Sequence, residues 1–365
     1  MKKWIAGLLC LSLLLLTGCG TKEAPPTTAT TTVATTAETT VETTVETTVE
    51  ATEAPVLTVG ISLPNQTDEH WIAEGERLSQ ALRGLGYEVD LENAQNDVLV
   101  QIEQVEVMLD KVDCLIIAAV DAISLTQVLI PAEIPVIAYD RLITNTDKLA
   151  GFVGYDSLNV GVDVAQRIVA EKALETALKE QRSYTVEFLM GDFQNHNDIL
   201  FYQGLMQVLQ PYLQSGVLTC PSGRTAFEDV CVAGYDSAAA GQMLEDILDK
   251  HYKKTFPEIL ITAHDNLAGG CIELLTEEDC APEQWPLIVG QQATEAGLER
   301  LKEGTQFLSV YYGVGALATS CAEMADRILQ GEEAAVTVWN NGEADIPADM
   351  HIPLLVNKDN YLSAM

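Results

Sequence analysis

From residue 56 onward, apolar positions follow two alternating rhythms. Runs without polar interruption, such as Val56-Leu57-Thr58-Val59-Gly60-Ile61 and Cys114-Leu115-Ile116-Ile117-Ala118-Ala119, read as strands. Between them, Trp71, Gly75, Leu78, Leu82 and Leu85 recur at helical spacing. Val98, Ile102, Val105 and Leu109 do the same, with Asn96 or Asp97 as cap. Further strands are expected over 87–91, 134–139, 185–190, 258–262, 286–290 and 307–311, with helices over 237–252 and 314–329. Strands without polar alternation, separated by amphipathic helices, predict an α/β fold whose parallel sheets are covered on both faces. The β-α units are too numerous for one modest sheet, so two doubly wound lobes fit better than one. A closed β/α barrel is the structural alternative.

The first 55 residues follow neither rhythm. Lys2 and Lys3 precede a short apolar run from Trp4 to Leu16, and Leu16-Thr17-Gly18-Cys19 ends it. This is the pattern of a bacterial lipoprotein signal over 1–18, cleaved so that Cys19 carries lipid. The run is short for a membrane span. Residues 19–55 are Thr-rich, repeat Val-Glu-Thr-Thr from Val41, and lack large apolar side chains, so they read as a tether. The expected location is extracytoplasmic, held at the bacterial cell membrane by the N-terminal lipid. There the chain has no access to ATP or NADH, and no cofactor is expected.

Composition narrows the partners. The chain has 54 acidic against 20 basic residues and a net charge of −34, which repels nucleic acid and gives no polybasic help at an anionic membrane. Six of the eight cysteines, Cys114, Cys220, Cys231, Cys271, Cys280 and Cys321, lie beyond the tether. In an oxidising compartment, Cys220 with Cys231 and Cys271 with Cys280 are candidate disulfides. Cys114, inside its apolar run, reads as a buried small hydrophobe. No C-x-x-C and no helical histidine pair occurs, so no metal site is expected.

In open parallel sheets the ligand lies beyond the carboxyl ends of the strands. The residues there are His70 and Trp71, Asp121, Asp140 and Arg141, His196-Asn197-Asp198, His264 and Asp265, and Gln291-Gln292. Tyr235 opens one helix and Tyr312 follows the 307–311 strand. Carboxylates, amides, an arginine and aromatics suit a sugar: hydroxyls take paired donors and acceptors, and C–H faces stack on rings. Each residue also has a plainer reading. Asp121, Asp198 and Asp265 would serve as helix caps, Trp71 as core, and Asp140 with Arg141 as a structural ion pair. Their shared position at strand ends favours the site.

On these residues the chain resembles the type I periplasmic sugar-binding proteins of ABC transporters, nearest the xylose-binding and multiple-sugar-binding group. The resemblance rests on Val136-Ile137-Ala138-Tyr139-Asp140-Arg141-Leu142-Ile143, on Trp71-Ile72, on Val59-Gly60-Ile61-Ser62-Leu63-Pro64 and on the order of strand ends. It implies two lobes joined by a three-strand hinge, a monomer that closes on a monosaccharide and delivers it to an ABC permease. Residues 56–147 and 292–335 would form the N-terminal lobe, 148–291 and 336–365 the C-terminal lobe. Trp71 and Tyr235 would sandwich the sugar, Asp140 and Arg141 would bind hydroxyls from one lobe, and Asn197, His264 and Asp265 would meet it from the other. The chain departs from the group's pattern at His70 (usually Arg), His196 (usually Asn), Gln292 (usually Asp) and Tyr312 (commonly Lys), so the exact sugar does not carry over. An exported glycoside hydrolase is a rival, but no nucleophile elbow, metal motif or defined acid/base pair is visible, and the chain reads as a binding protein rather than an enzyme. A sensory binding protein for a sugar-like or other signal is the other.

Overall fold

The computed structural model describes residues 55–67, 69–313, 315–335 and 337–364; the signal segment, Cys19 and the tether up to residue 54 lie outside the described residues. Its strands are β1 (Thr58–Leu63), β2 (Glu88–Asn93), β3 (Cys114–Ile117), β4 (Val136–Asp140), β5 (Leu149–Tyr155), β6 (Tyr184–Leu189), β7 (Leu218–Thr219), β8 (Ile259–Thr262), β9 (Leu287–Val289), β10 (Ser309–Tyr311), β11 (Thr337–Asn340), β12 (Asp345–His351) and β13 (Leu354–Val356). The first sheet runs β11-β12-β5-β4-β3-β1-β2, parallel except for β11 against β12. The second runs β7-β6-β8-β9, all parallel. Leu308 bridges to Val289 at its edge, and β10 pairs antiparallel with β13.

Two sheets, each covered on both faces, give the α/β two-lobe architecture that the apolar strands predict. Cys114 and Ile116 of β3 pack under the helices Glu69–Gly84 and Ala316–Leu329, among Leu78, Leu82 and Cys321. Leu115 and Ile117 point the other way, toward Val105, Met108 and Leu129. β8 repeats the pattern, with Ile259 and Ile261 on one side and Leu260 on the other. Successive side chains alternate across a strand, so a strand buried on both sides has no room for polar residues.

In the second lobe, helices Ser157–Glu171 and His196–Ser215 cross closely, and two glycines make this fit. A Cβ on Gly161 would stand 2.1 Å from the Phe201 carbonyl oxygen, and one on Gly204 would stand 2.0 Å from that of Leu158.

The lobe boundaries differ from those expected. β5 pairs with β4, and β12 pairs with β5, so 149–155 and 337–351 belong to the first lobe rather than the second. The helix Glu295–Glu303 and β10 belong to the second lobe rather than the first, because Leu308, Val310 and Leu301 are buried there. The chain therefore crosses between sheets after Tyr155, after Tyr311 and after His351. The expected Cys220–Cys231 and Cys271–Cys280 bonds are also absent: all four are free thiols. Cys220 Sγ instead sits 3.4 Å from Oε2 of the buried Glu187 and 3.3 Å from Ser222 Oγ, while Cys231 Sγ donates to the Phe227 carbonyl. Burial pushes the Cys220 thiol up to about 11 and that of Cys231 to about 12, far from the reactive thiolate range. Cys114 is fully buried, as its apolar run implies.

Candidate functional site

The carboxyl ends of both sheets face one cavity of about 70 Å³. On the same measure one ordered water needs at least roughly 10–15 Å³, so this space holds a cluster of waters or one small polar molecule.

From the first lobe come His70 and Trp71, in the first turn of the helix after β1, with Asp140 and Arg141 at the end of β4. Asp140 holds a positive φ of 57°, a conformation that Asp tolerates better than most residues. The turn brings the Arg141 guanidinium 5.0 Å from the centre of the Trp71 ring. His70 stands edge-on to the same ring at 4.8 Å. Trp71 is only 3% exposed and belongs to the first lobe's core while it also lines the cavity.

From the second lobe come Asn195, Asn197 and Asp198, Tyr235, His264, and Gln291 with Gln292. Asn195 caps the helix His196–Ser215, accepting from the Asn197 N–H at 3.1 Å. Its Nδ2 donates to the Tyr235 hydroxyl at 2.7 Å, and that hydroxyl donates to Asp198 Oδ2 at 2.6 Å. This relay fixes a tyrosine whose φ is 53°. Gly191 after β6 permits it, since a Cβ there would lie 2.3 Å from Asp198 Oδ2 and 2.4 Å from the Tyr235 ring. His264 Nδ1 accepts from the Asn266 N–H at 3.0 Å, so its neutral ring carries the proton on Nε2. Tyr312 donates to Gln291 Oε1, and Gln291 Nε2 donates to the Ala263 carbonyl at 3.0 Å. Among the described residues, three of the eleven non-glycine positions with positive φ, Asp140, Tyr235 and Gln292, line this cavity.

The two lobes touch here. Asn197 Nδ2 donates to the Asp140 carbonyl oxygen at 3.1 Å across the cleft. Tyr155 at the first crossover donates 2.5 Å to the carbonyl of Tyr312 at the second, and their rings meet edge-on at 4.7 Å.

Burial governs the charges. It raises the Asp140 carboxyl, with His70 and Arg141 opposing the rise. It raises Asp198 to about 7, opposed by the Tyr235 hydrogen bond and by Arg141. The hydroxyls of Tyr235 and Tyr312 are pushed well above their usual range, so both remain donors. The cavity thus offers two carboxyls and one guanidinium, with amides, phenols and imidazoles between them.

Nine of the twelve expected positions line this cavity: His70, Trp71, Asp140, Arg141, Asn197, Tyr235, His264, Gln292 and Tyr312. Three do not. Asp121 Oδ1 is spent on its own turn, accepting from the N–H groups of Ile123 and Ser124 and from the Ser124 hydroxyl. His196 shares a surface groove with Ile199 and Leu200, on the side of its helix away from Asn197 and Phe201. Asp265 is fully buried behind the cavity. It accepts from Gln306, Ser309 and the Thr294 N–H, and burial raises it to about 6. It ties the loops after β8 and β9 together. Asp198 and Gln291 sat in the strand-end segments already singled out, although Asp198 also read as a helix cap, and Asn195 directly precedes the His196-Asn197-Asp198 segment. Tyr155 and Ser157 follow from β5 and its crossover, which the apolar pattern had not marked, and Phe201 comes from the helix His196–Ser215. Among the described residues no group of His, Cys, Asp or Glu is placed to hold a metal ion, and no helix is long and apolar enough to cross a membrane.

Comparison with known proteins identifies the family and the fold. Residues 59–333 match the family model described as a periplasmic binding protein domain. The chain is 31% identical over 312 residues to the multiple sugar-binding periplasmic protein of Azospirillum brasilense, covering 83% of this chain and 87% of that one. It is 30% identical over 313 residues to the D-xylose-binding periplasmic protein of Escherichia coli, covering 84% and 88%. Among solved structures, an ABC transporter solute-binding protein from Clostridium phytofermentans with bound β-D-glucose is 32% identical. It superposes with a TM-score of 0.78 over 84% of this chain and 95% of that one.

Proposed function

The chain belongs to the periplasmic binding protein family, and from that premise we propose that it captures a neutral monosaccharide, an aldose of the xylose or glucose kind, between its two lobes. It then hands the sugar to an ABC permease. The observation that carries this reading is the cavity itself, which joins aromatic, carboxyl and amide groups from both sheets at their carboxyl ends. A ligand there touches both lobes at once, and only contacts made to both favour closure.

The charge pattern selects among sugars. Asp140 and Asp198 both resist ionisation because water is excluded. A ligand carboxylate would add a third acidic group beside one arginine in the same dry space, at a desolvation cost of several kcal/mol. Neutral aldoses avoid that cost, and uronic acids do not. Binding proceeds without bond chemistry: the sugar is held, carried and released. The segment Lys2–Lys3 through Leu16-Thr17-Gly18-Cys19 supports lipid attachment at Cys19, with the Thr-rich stretch as a leash outside the cytoplasm.

A thermal-shift panel of pentoses, hexoses, polyols and uronic acids tests the reading. At a thousandfold excess over Kd a ligand stabilises by about 4 kcal/mol, so a matched neutral aldose raises the melting temperature clearly. The uronic acids leave it unchanged. A panel in which no neutral aldose moves the transition at millimolar concentration would refute the assignment.

A further inference from the structure

One oxygen in the cavity wall is left over. Asp198, 6% exposed in the first turn of the helix His196–Ser215, uses its Oδ2 twice. That atom accepts from the Tyr235 hydroxyl at 2.6 Å and from the Asp192 N–H at 2.9 Å. Among the described residues nothing donates to Oδ1, although the residue lines the cavity. The helix does not need this side chain as its cap. The Asn195 side chain accepts from the Asn197 N–H, and the Asn195 carbonyl accepts from the Asp198 N–H. We infer that Asp198 is a specificity-determining residue whose Oδ1 accepts a hydrogen bond from one hydroxyl of the captured sugar, so that capture drives a proton from the carboxyl into solvent. The inference rests on the sugar-binding reading above and adds to it a regulation of the same site by pH.

Geometry carries it. A buried acceptor without a donor is destabilising, and a ligand hydroxyl supplies the donor. Arg141 lines the cavity from the first lobe, and its positive charge acts on Asp198. A hydroxyl donates one hydrogen bond and accepts others. One that donates to Oδ1 and accepts from the guanidinium ties the two lobes together. The other titratable groups that act with Asp198 are Asp192 after β6, Cys231 and Tyr235 before the helix Ser237–Ile247, and Tyr312 after β10. Asp140, His70 and His264 line the same cavity. Burial outweighs the Tyr235 bond, the Arg141 charge and the Asp192 N–H, and holds the carboxyl at about 7. In the empty cavity it is therefore partly protonated near neutral pH. A further hydrogen bond to the charged form pulls the carboxyl down from there. Binding thus releases a proton below that value, and affinity rises with pH until the free carboxyl is already ionised.

Calorimetry on the intact protein with D-glucose and D-xylose tests it. Titrations at pH 6.5 in phosphate and in Bis-Tris, whose ionisation enthalpies differ, count the protons. The parent releases about three-quarters of a proton more per bound sugar than Asp198→Asn, and its affinity falls about tenfold from pH 8 to pH 6. His70 and His264 face the same ligand, so the variant is the control that assigns the dependence to Asp198. Its affinity profile is the flatter of the two. A set of monodeoxy analogues of the sugar that binds then finds the hydroxyl: the analogue lacking it releases no proton from the parent, and its removal costs the variant less affinity than the parent. An aspartate that only holds Tyr235 gives another pattern. Parent and variant then release equal numbers of protons, and the variant binds more weakly by the same factor at both pH values. That result overturns the inference and leaves the sugar reading intact. Binding of neither sugar at millimolar concentration overturns both.

Discussion

Asp198 shows how a single residue couples the cavity to the stability of the fold. Burial lifts its carboxyl from about 3.8 to about 7. Between those values the folded chain holds a proton that the unfolded chain gives up. The folded state is therefore favoured most below pH 4, and stability falls as pH rises toward 7, by on the order of 2–4 kcal/mol for this group. Asp198→Asn keeps an acceptor for the Tyr235 hydroxyl and removes the titration. Urea unfolding at pH 4.5 and pH 7.5 should show the variant losing less stability over that interval than the parent; equal losses would mean that the carboxyl is not desolvated. Residue roles were only partly legible in the sequence. Position at a strand end put Asp140, Arg141, Asn197 and His264 at one cavity wall, because parallel strands deliver their last residues to one edge. It misjudged Asp121 and Asp265, because a strand end also needs residues that cap turns and tie loops. Only the coordinates separate an aspartate aimed at a ligand from one that accepts from its neighbours.

At the scale of elements, apolar runs made strands such as β3 and β8 legible and left the β11-β12-β5 end of the first sheet obscure. β3 and β8 carry no polar residue until their ends. β5 is interrupted by Gly151 and Gly154, β11 is largely exposed, and β12 contains Pro347 and acidic residues. Of these three only β11 is an edge strand, with one unpaired side that accepts exposed residues; β5 and β12 lie inside the sheet, but their glycines, proline and acidic residues break the apolar run. Because these elements decide which lobe each segment joins, missing them displaced the boundaries by whole strands. The close helix pair of the second lobe was equally invisible, since a glycine at a helix crossing looks like any other. Its consequence is testable. Gly161→Ala places a Cβ against the Phe201 carbonyl and the Leu205 amide, which are backbone and yield little. The expected cost is about 3 kcal/mol, the upper end of ordinary overpacking, read as a lower denaturant midpoint with an unchanged slope. A midpoint equal to the parent's would show that the two helices are not in close contact.

At the scale of the whole molecule, the two lobes share a cleft and three crossovers, and hydrogen bonds join them. Asn197 to Asp140 spans the cleft, and Tyr155 to Tyr312 joins two of the crossovers. His351, at the third, lies 6.1 Å ring to ring from Tyr155. On the proposed reading, a ligand that touches both lobes sets the balance between open and closed forms. The central claim is that the cavity binds a neutral sugar and that Asp140 is one of the groups that hold it. Trp71 is a poorer probe, because its burial in the first lobe's core means that truncation also costs about 3–5 kcal/mol of stability. Asp140 pays a desolvation penalty for its charge, so an amide there should not weaken the fold. The decisive measurement is calorimetric titration of the parent and of Asp140→Asn with the neutral aldose that the thermal panel selects, with urea unfolding of both as control. The account predicts one site per chain in the parent, a ten- to hundredfold loss of affinity in the variant, as expected for about 1.5–3 kcal/mol from a charge-assisted hydrogen bond, and no loss of folding stability. Unchanged affinity in a variant that unfolds more easily would contradict it, and would make Asp140 part of the scaffold rather than of the site.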